Sequence, residues 1–166
     1  MSTPMLQAQW DHIRDIHGIF MRLMAAFPKD KLDAHPIPGM RTPKEIAVHA
    51  YAYVGGIPAA VVKGKLTAED APEPVDKIKS TEDVLKHCRE RFEMGSKAVA
   101  QITDVHLKGM VTTHWGPTMP GFAMMGVIND ETLHHRGQLY AMLRACGVEP
   151  PFLWDFEHNL AEDKKK

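Results

Sequence analysis

The sequence predicts an all-α protein, a four-helix up-and-down bundle, on three observations. Four segments repeat apolar residues at three- and four-residue steps. Start and stop signals for helices stand near the ends of those segments. No stretch shows the sustained two-residue alternation of a strand, and no internal repeat is visible. At 166 residues and 44% hydrophobic, the chain reads as one domain, 1–166, long enough to bury a substantial core.

The first helix is predicted from Met5 to Phe27, with Leu6, Trp10, Ile13, Phe20, Met24 and Phe27 on one side and Pro28 ending it. A loop rich in Pro and Gly follows. The second helix opens on Thr42, with Pro43 at its first position and Glu45 completing a T-x-x-E capping box. Its inward stripe is Ile46, His49, Tyr53, Ile57 and Ala60, and Gly55, Gly56 and Pro58 are expected to bend it near its end. A long polar connection leads to Ser80 and Asp83, a weaker start signal. The third helix then carries Val84, Leu85, Cys88, Phe92, Val99 and Ile102.

The stretch "DVHLKGMVTTHWGPTMPG" reads as irregular, with His114 and Trp115 at its middle. The fourth helix runs from Phe122 to Cys146, capped by Gly147, with Pro150 and Pro151 beyond. In the tail "FLWDFEHNL", Phe152, Trp154 and Phe156 alternate, and the segment is expected to pack back on the helices.

Charge and motif content exclude several classes. Twenty basic and 21 acidic residues give a formal charge of −1, so nothing draws the chain toward nucleic acid. Lys164, Lys165 and Lys166 read as a solvated tail. No apolar run of membrane-spanning length is evident, and the N-terminus lacks a basic start and an apolar block, so a cytoplasmic location is expected. Cys88 and Cys146 match no zinc or redox spacing and read as reduced core residues. Nucleophile-elbow, H-E-x-x-H, P-loop and dinucleotide fingerprints are missing.

The chemistry concentrates in "ETLHHRGQL", residues 131 to 139. The stripe Met124, Ile128, Glu131, His135, Gln138, Met142 and Cys146 is apolar at both ends and polar in the middle. His134 points about 100° away from His135. Buried carboxylates, imidazoles and amides must be paired, hydrated or bound to an ion. His49 interrupts the second stripe in the same way. Glu131, His135 and His49 form a two-histidine, one-carboxylate set that zinc accepts with an open position, and that nickel or non-haem iron tolerates.

A bound water there becomes acidic, or the metal binds a thiolate. The plainer alternative is a hydrogen-bonded pair and a satisfied core histidine. Glu45, one turn before His49, serves the cap under that alternative and orients the imidazole under the metal reading. The methionines read as packing. A ferritin-like di-iron site needs a second Glu-x-x-His beside Glu131 and His134, and none exists.

"RTPKEIAVHA" and "ETLHHRGQLYAMLRACGVEPP" together resemble the DinB-like family of small helical proteins, over most of the chain in layout. The block HHRGQLYAMLRACGVEPP carries the specific part of the match. The resemblance implies a divalent metal held by three histidines, one from the second helix and an H-x-x-x-H pair from the last. His49 matches the first of these and His135 the last. Glu131 stands where the remaining histidine belongs, so a carboxylate replaces an imidazole.

The resemblance further implies a thiol-dependent S-transferase or a metal-dependent hydrolase acting on a small electrophile. Its cofactors would be a divalent metal, zinc or nickel first and iron second, and a low-molecular-weight thiol. A homodimer is expected, with the loop of His114 and Trp115 as a pocket wall. A non-catalytic metal-binding or stress-related bundle protein is the competing expectation.

Overall fold

A computed structural model describes residues 2–159. The protein is mostly helical, as the sequence predicts. The helices are α1 (Thr3–Ala25), α2 (Pro43–Lys63), α3 (Thr81–Val99), the short α4 (Asp104–Lys108) and α5 (Gly121–Ala145). Of the four long ones, α2 packs on α3 and α5, and α1 packs on the same two. The run of residues 164–166 lies outside the described residues.

Local chemistry sets the helix ends. At α2 the Thr42 hydroxyl accepts the Glu45 N–H at 3.2 Å, and the Glu45 carboxylate accepts the Thr42 N–H at 2.8 Å. Both orphan donors of the first turn are thereby satisfied. Ser80 caps α3 by accepting the Asp83 N–H at 3.1 Å. Gly147, with φ 77°, lets the chain leave α5 in the left-handed conformation.

Three short strands qualify the all-α expectation. They are β1 (Lys65–Leu66), β2 (Met110–Thr113) and β3 (Thr118–Pro120), in the order β1-β2-β3. β1 runs parallel to β2, with Lys65 beside Thr112, and β2 is antiparallel to β3, with Val111 beside Met119. Strands of two to four residues leave too little alternation to read. The β2–β3 turn, held by the Thr113 hydroxyl donating to the Pro117 carbonyl at 2.7 Å, presents His114 and Trp115 outward.

α2 continues through Gly55, Gly56 and Pro58 to Lys63. Gly55 and Gly56 serve packing. A Cβ at Gly55 would stand 2.5 Å from Arg91 Nε, and one at Gly56 would stand 2.5 Å from the Asp70 carbonyl oxygen. Arg91 crosses there and donates to the carbonyls of Ala52 and Asp70, each at 2.7 Å. These bonds compensate a buried guanidinium.

α2 is also apolar and long enough, by length and composition alone, to cross a membrane, which corrects the sequence expectation. Of its most apolar window, 72% is buried inside the fold, as befits a core helix.

The core between α1, α2 and α3 is aromatic. Trp10 stacks on Phe92 at 5.3 Å, and its indole N–H donates to the Ser96 hydroxyl at 3.1 Å. Phe92 stacks in turn on His17 at 4.2 Å, and His17 Nδ1 meets the buried Tyr51 hydroxyl at 2.5 Å. Cys88 is fully buried beside this core, and burial pushes its thiol far above the ordinary value, so it is inert at neutral pH.

The tail packs back on α1, as expected, but through polar groups. Arg22 donates to the Asp155 carboxylate at 3.1 Å and to Asn159 Oδ1 at 3.2 Å. Asn159 donates to the Asp15 carbonyl at 3.1 Å and fills a notch over Gly18, where a Cβ would stand 2.2 Å from its Cγ. Phe152 and Trp154 remain 69% and 62% exposed.

Candidate metal centre

The capping box starts α2 at a fixed residue and so places His49 on the face that α2 turns toward α5. On α5, Glu131 and His135 share a face one turn apart. His49, Glu131 and His135 converge, each offering a donor atom within 4.8 Å of the others. His135 Nε2 lies 3.0 Å from Glu131 Oε2, and His49 Nε2 lies 3.6 Å from the same oxygen. The two imidazoles meet edge to face, with ring centres 5.0 Å apart. The side chains are 18%, 30% and 10% exposed respectively, so the cluster is sheltered but reachable.

The outer nitrogens of both rings are tied. His49 Nδ1 is 2.6 Å from Glu73 Oε1, and His135 Nδ1 is 2.8 Å from Gln138 Oε1. A carboxylate only accepts, so His49 Nδ1 carries a proton and a neutral ring then turns a lone pair inward from Nε2. The amide oxygen of Gln138 sets the same tautomer on His135. With both rings neutral in this tautomer, two imidazole lone pairs and a carboxylate face one point; a proton on His135 Nε2 instead makes the 3.0 Å hydrogen bond to Glu131. Such a set fits a cation: donors around a tetrahedral zinc stand about 3.4 Å apart, comparable with the 3.0 and 3.6 Å separations here.

A proton can take the cation's place. Burial works to lower the His135 imidazole, but its hydrogen bonds with Glu131 and Gln138 and the Glu131 charge outweigh it and raise it above the ordinary value. The hydrogen bond with His135 lowers Glu131 below the usual carboxylate range, against burial, and the charges of His135, His49 and His134 add to it. Proton and metal thus compete for one position.

Glu45 does not orient His49. Its carboxylate is spent on the Thr42 N–H, which holds it below the ordinary carboxylate range. Glu73 takes that role from the α2–α3 connector, a residue that helical spacing could not reveal. His134 stands outside the cluster, exposed, with its Nε2 accepting from Gln138 at 3.0 Å. Tyr53 meets His49 edge on at 5.1 Å, and Trp115 meets Tyr53 edge on at 5.6 Å. This aromatic series leads from the cluster to the half-exposed hairpin turn. Burial, then the Glu131 and Glu73 charges, raise the Tyr53 phenol, so it stays protonated.

A family model described as the DinB family matches residues 1–164. The chain belongs to the DinB family. Solved structures of DinB-family proteins resemble this one in fold. A DinB-like protein from Bacillus subtilis superposes with a TM-score of 0.70 at 18% identity, covering 88% of this chain and 96% of that one. A DinB-like protein from Bacillus cereus gives 0.65 at 19% identity, covering 82% and 89%. A DinB-family protein from Exiguobacterium sibiricum gives 0.61 at 21%, covering 89% and 97%. No curated protein sequence matches this DinB-family chain.

Proposed function

We propose that this DinB-family chain is a metal-dependent enzyme, a thiol-dependent S-transferase or a hydrolase that acts on a small electrophile. The observation that carries the reading is the convergence of His49, Glu131 and His135, each offering a ligand atom within 4.8 Å of the others. A divalent ion held there, zinc or nickel first and iron second, supplies Lewis-acid chemistry and acidifies a bound water or thiol. His49, Glu131 and His135 hold the ion. Tyr53 keeps its phenolic proton as a donor beside them, and Trp115 forms an apolar wall that orients the substrate and limits water. The up-and-down arrangement of the four long helices belongs to the same proposal, since it brings α2 and α5 alongside each other.

The test supplies tag-free protein with saturating zinc or nickel and a low-molecular-weight thiol, and follows conjugation of a panel of small electrophiles. Acceleration that needs both metal and thiol supports the transferase. Turnover with metal alone supports the hydrolase. One observation favours a non-catalytic metal-binding protein, namely Glu131 at the position where the family pattern has histidine. Tight metal binding without turnover across the panel decides for it.

We further propose a cytoplasmic homodimer that takes a small-molecule substrate and neither nucleic acid nor a membrane. Exposed Phe152 and Trp154 support self-association. Light scattering is expected to give twice the chain mass, and a monomer at working concentrations removes this part alone.

A further inference from the structure

The connector between α2 and α3 is polar in sequence, yet it is fixed on both sides of Glu73. Before it, the Asp70 carbonyl accepts from Arg91 at 2.7 Å and rests against Gly56, where a Cβ would intrude to 2.5 Å. The Asp70 carboxylate also accepts from the Thr67 N–H at 2.7 Å and from Lys63 at 2.6 Å. After it, Ile78 is buried and its carbonyl accepts from Lys44 at 3.2 Å. Glu73 is thus delivered by a braced backbone. One carboxylate oxygen meets His49 Nδ1 at 2.6 Å, and the other lies 3.8 Å from Arg41 Nη1.

We infer that this connector is part of the metal centre, with Glu73 as the positioning residue that fixes the tautomer and ring angle of His49 and thereby sets affinity for the ion. The inference rests on the metal reading of the site. Its physical basis is that a neutral imidazole donates from one nitrogen and ligates through the other, and the hydrogen bond at the first decides which is which. Without Glu73, the proton is free to move to Nε2 and block the inward lone pair. Arg41, 3.8 Å from the other carboxylate oxygen, helps keep Glu73 turned toward the ring. Gly56 and Arg91 contribute from a distance, by seating the segment that carries Glu73.

The experiment uses full-length, tag-free protein. Long-range proton–nitrogen correlation spectra of the metal-free form report the His49 tautomer, and calorimetric titration with zinc reports affinity. In the wild type His49 is expected as the Nδ1–H tautomer. Glu73→Ala is expected to shift it toward Nε2–H and to weaken zinc roughly 10- to 100-fold. Glu73→Gln keeps an accepting oxygen and is expected to rescue the tautomer. Gly56→Ala, which displaces the Asp70 backbone, is expected to weaken zinc while circular dichroism stays helical.

Equal zinc affinity in wild type and Glu73→Ala overturns the inference and leaves the metal reading standing. A wild type that takes up no zinc, with the His49 tautomer still dependent on Glu73, overturns the metal reading and the affinity claim together.

Discussion

His135→Ala is expected to abolish binding of zinc or nickel, measured by titration on protein that carries no affinity tag. The variant removes one of three converging donors, so the loss exceeds the roughly 10- to 100-fold cost of losing an outer partner. It also leaves Glu131, whose hydrogen bond with His135 is the main reason its carboxyl stays low, half-buried without that partner. His134→Ala is expected to leave affinity nearly unchanged, because that side chain lies outside the cluster, bonded to Gln138 and edge on to the His135 ring at 4.9 Å, and offers it no ligand atom. Glu131→His is expected to hold or tighten zinc and nickel, since imidazole suits both metals. Binding that survives His135→Ala but is lost in His134→Ala would make Glu131 and His134 the pair, against the geometry described above.

Gly95→Ala is expected to lower stability by about 3 kcal/mol, at the upper end of what overpacking a core costs. A Cβ at this position would stand 2.4 Å from the Val54 carbonyl oxygen and 2.9 Å from Trp10 Cη2. The first of these is backbone and the second belongs to a fully buried, stacked indole, so neither yields cheaply. Pro58 lies four residues after Val54 and has no N–H to give that carbonyl, which Gly95 of α3 approaches instead. For a chain of this length the melting temperature should fall by roughly 10 °C. The same substitution at Gly126 or Gly137 of α5, where a Cβ meets nothing within 4 Å, should instead add about 0.5–1 kcal/mol by helix propensity. Thermal melts of the three variants test the contrast, and equal losses at all three would refute the packing argument.

The parts of the fold that were legible in the sequence are those with local causes. Thr42, Pro43 and Glu45 announce α2 because a capping box uses residues three apart, and Ser80 and Gly147 act within one turn of the ends they mark. His49, Glu131 and His135 stood out for a related reason: each is a polar residue on a stripe that is apolar at its ends, and the family resemblance then separated them as a ligand set from neighbours such as Gln138. Glu73 was not legible, because it sits in irregular chain and meets His49 only through tertiary packing. Gly55 and Gly56 read as a bend because glycine weakens a helix wherever it stands. Their purpose, admitting Arg91 and the Asp70 backbone, depends on groups far along the chain. The strands were hidden by their length, and β1 pairs with a partner beyond the whole of α3.

The clasp of Arg22, Asp155 and Asn159 joins residues 133 to 144 positions apart, so it closes nearly the whole chain into a loop. Forming it early would spend loop-closure entropy before any neighbouring contact existed to offset it. It therefore belongs late on the folding route, after the helices have met. Contacts made late act on the escape from the native state rather than on the approach to it. The notch at Gly18 thus serves as a latch, and its physical quantity is the lifetime of the folded chain.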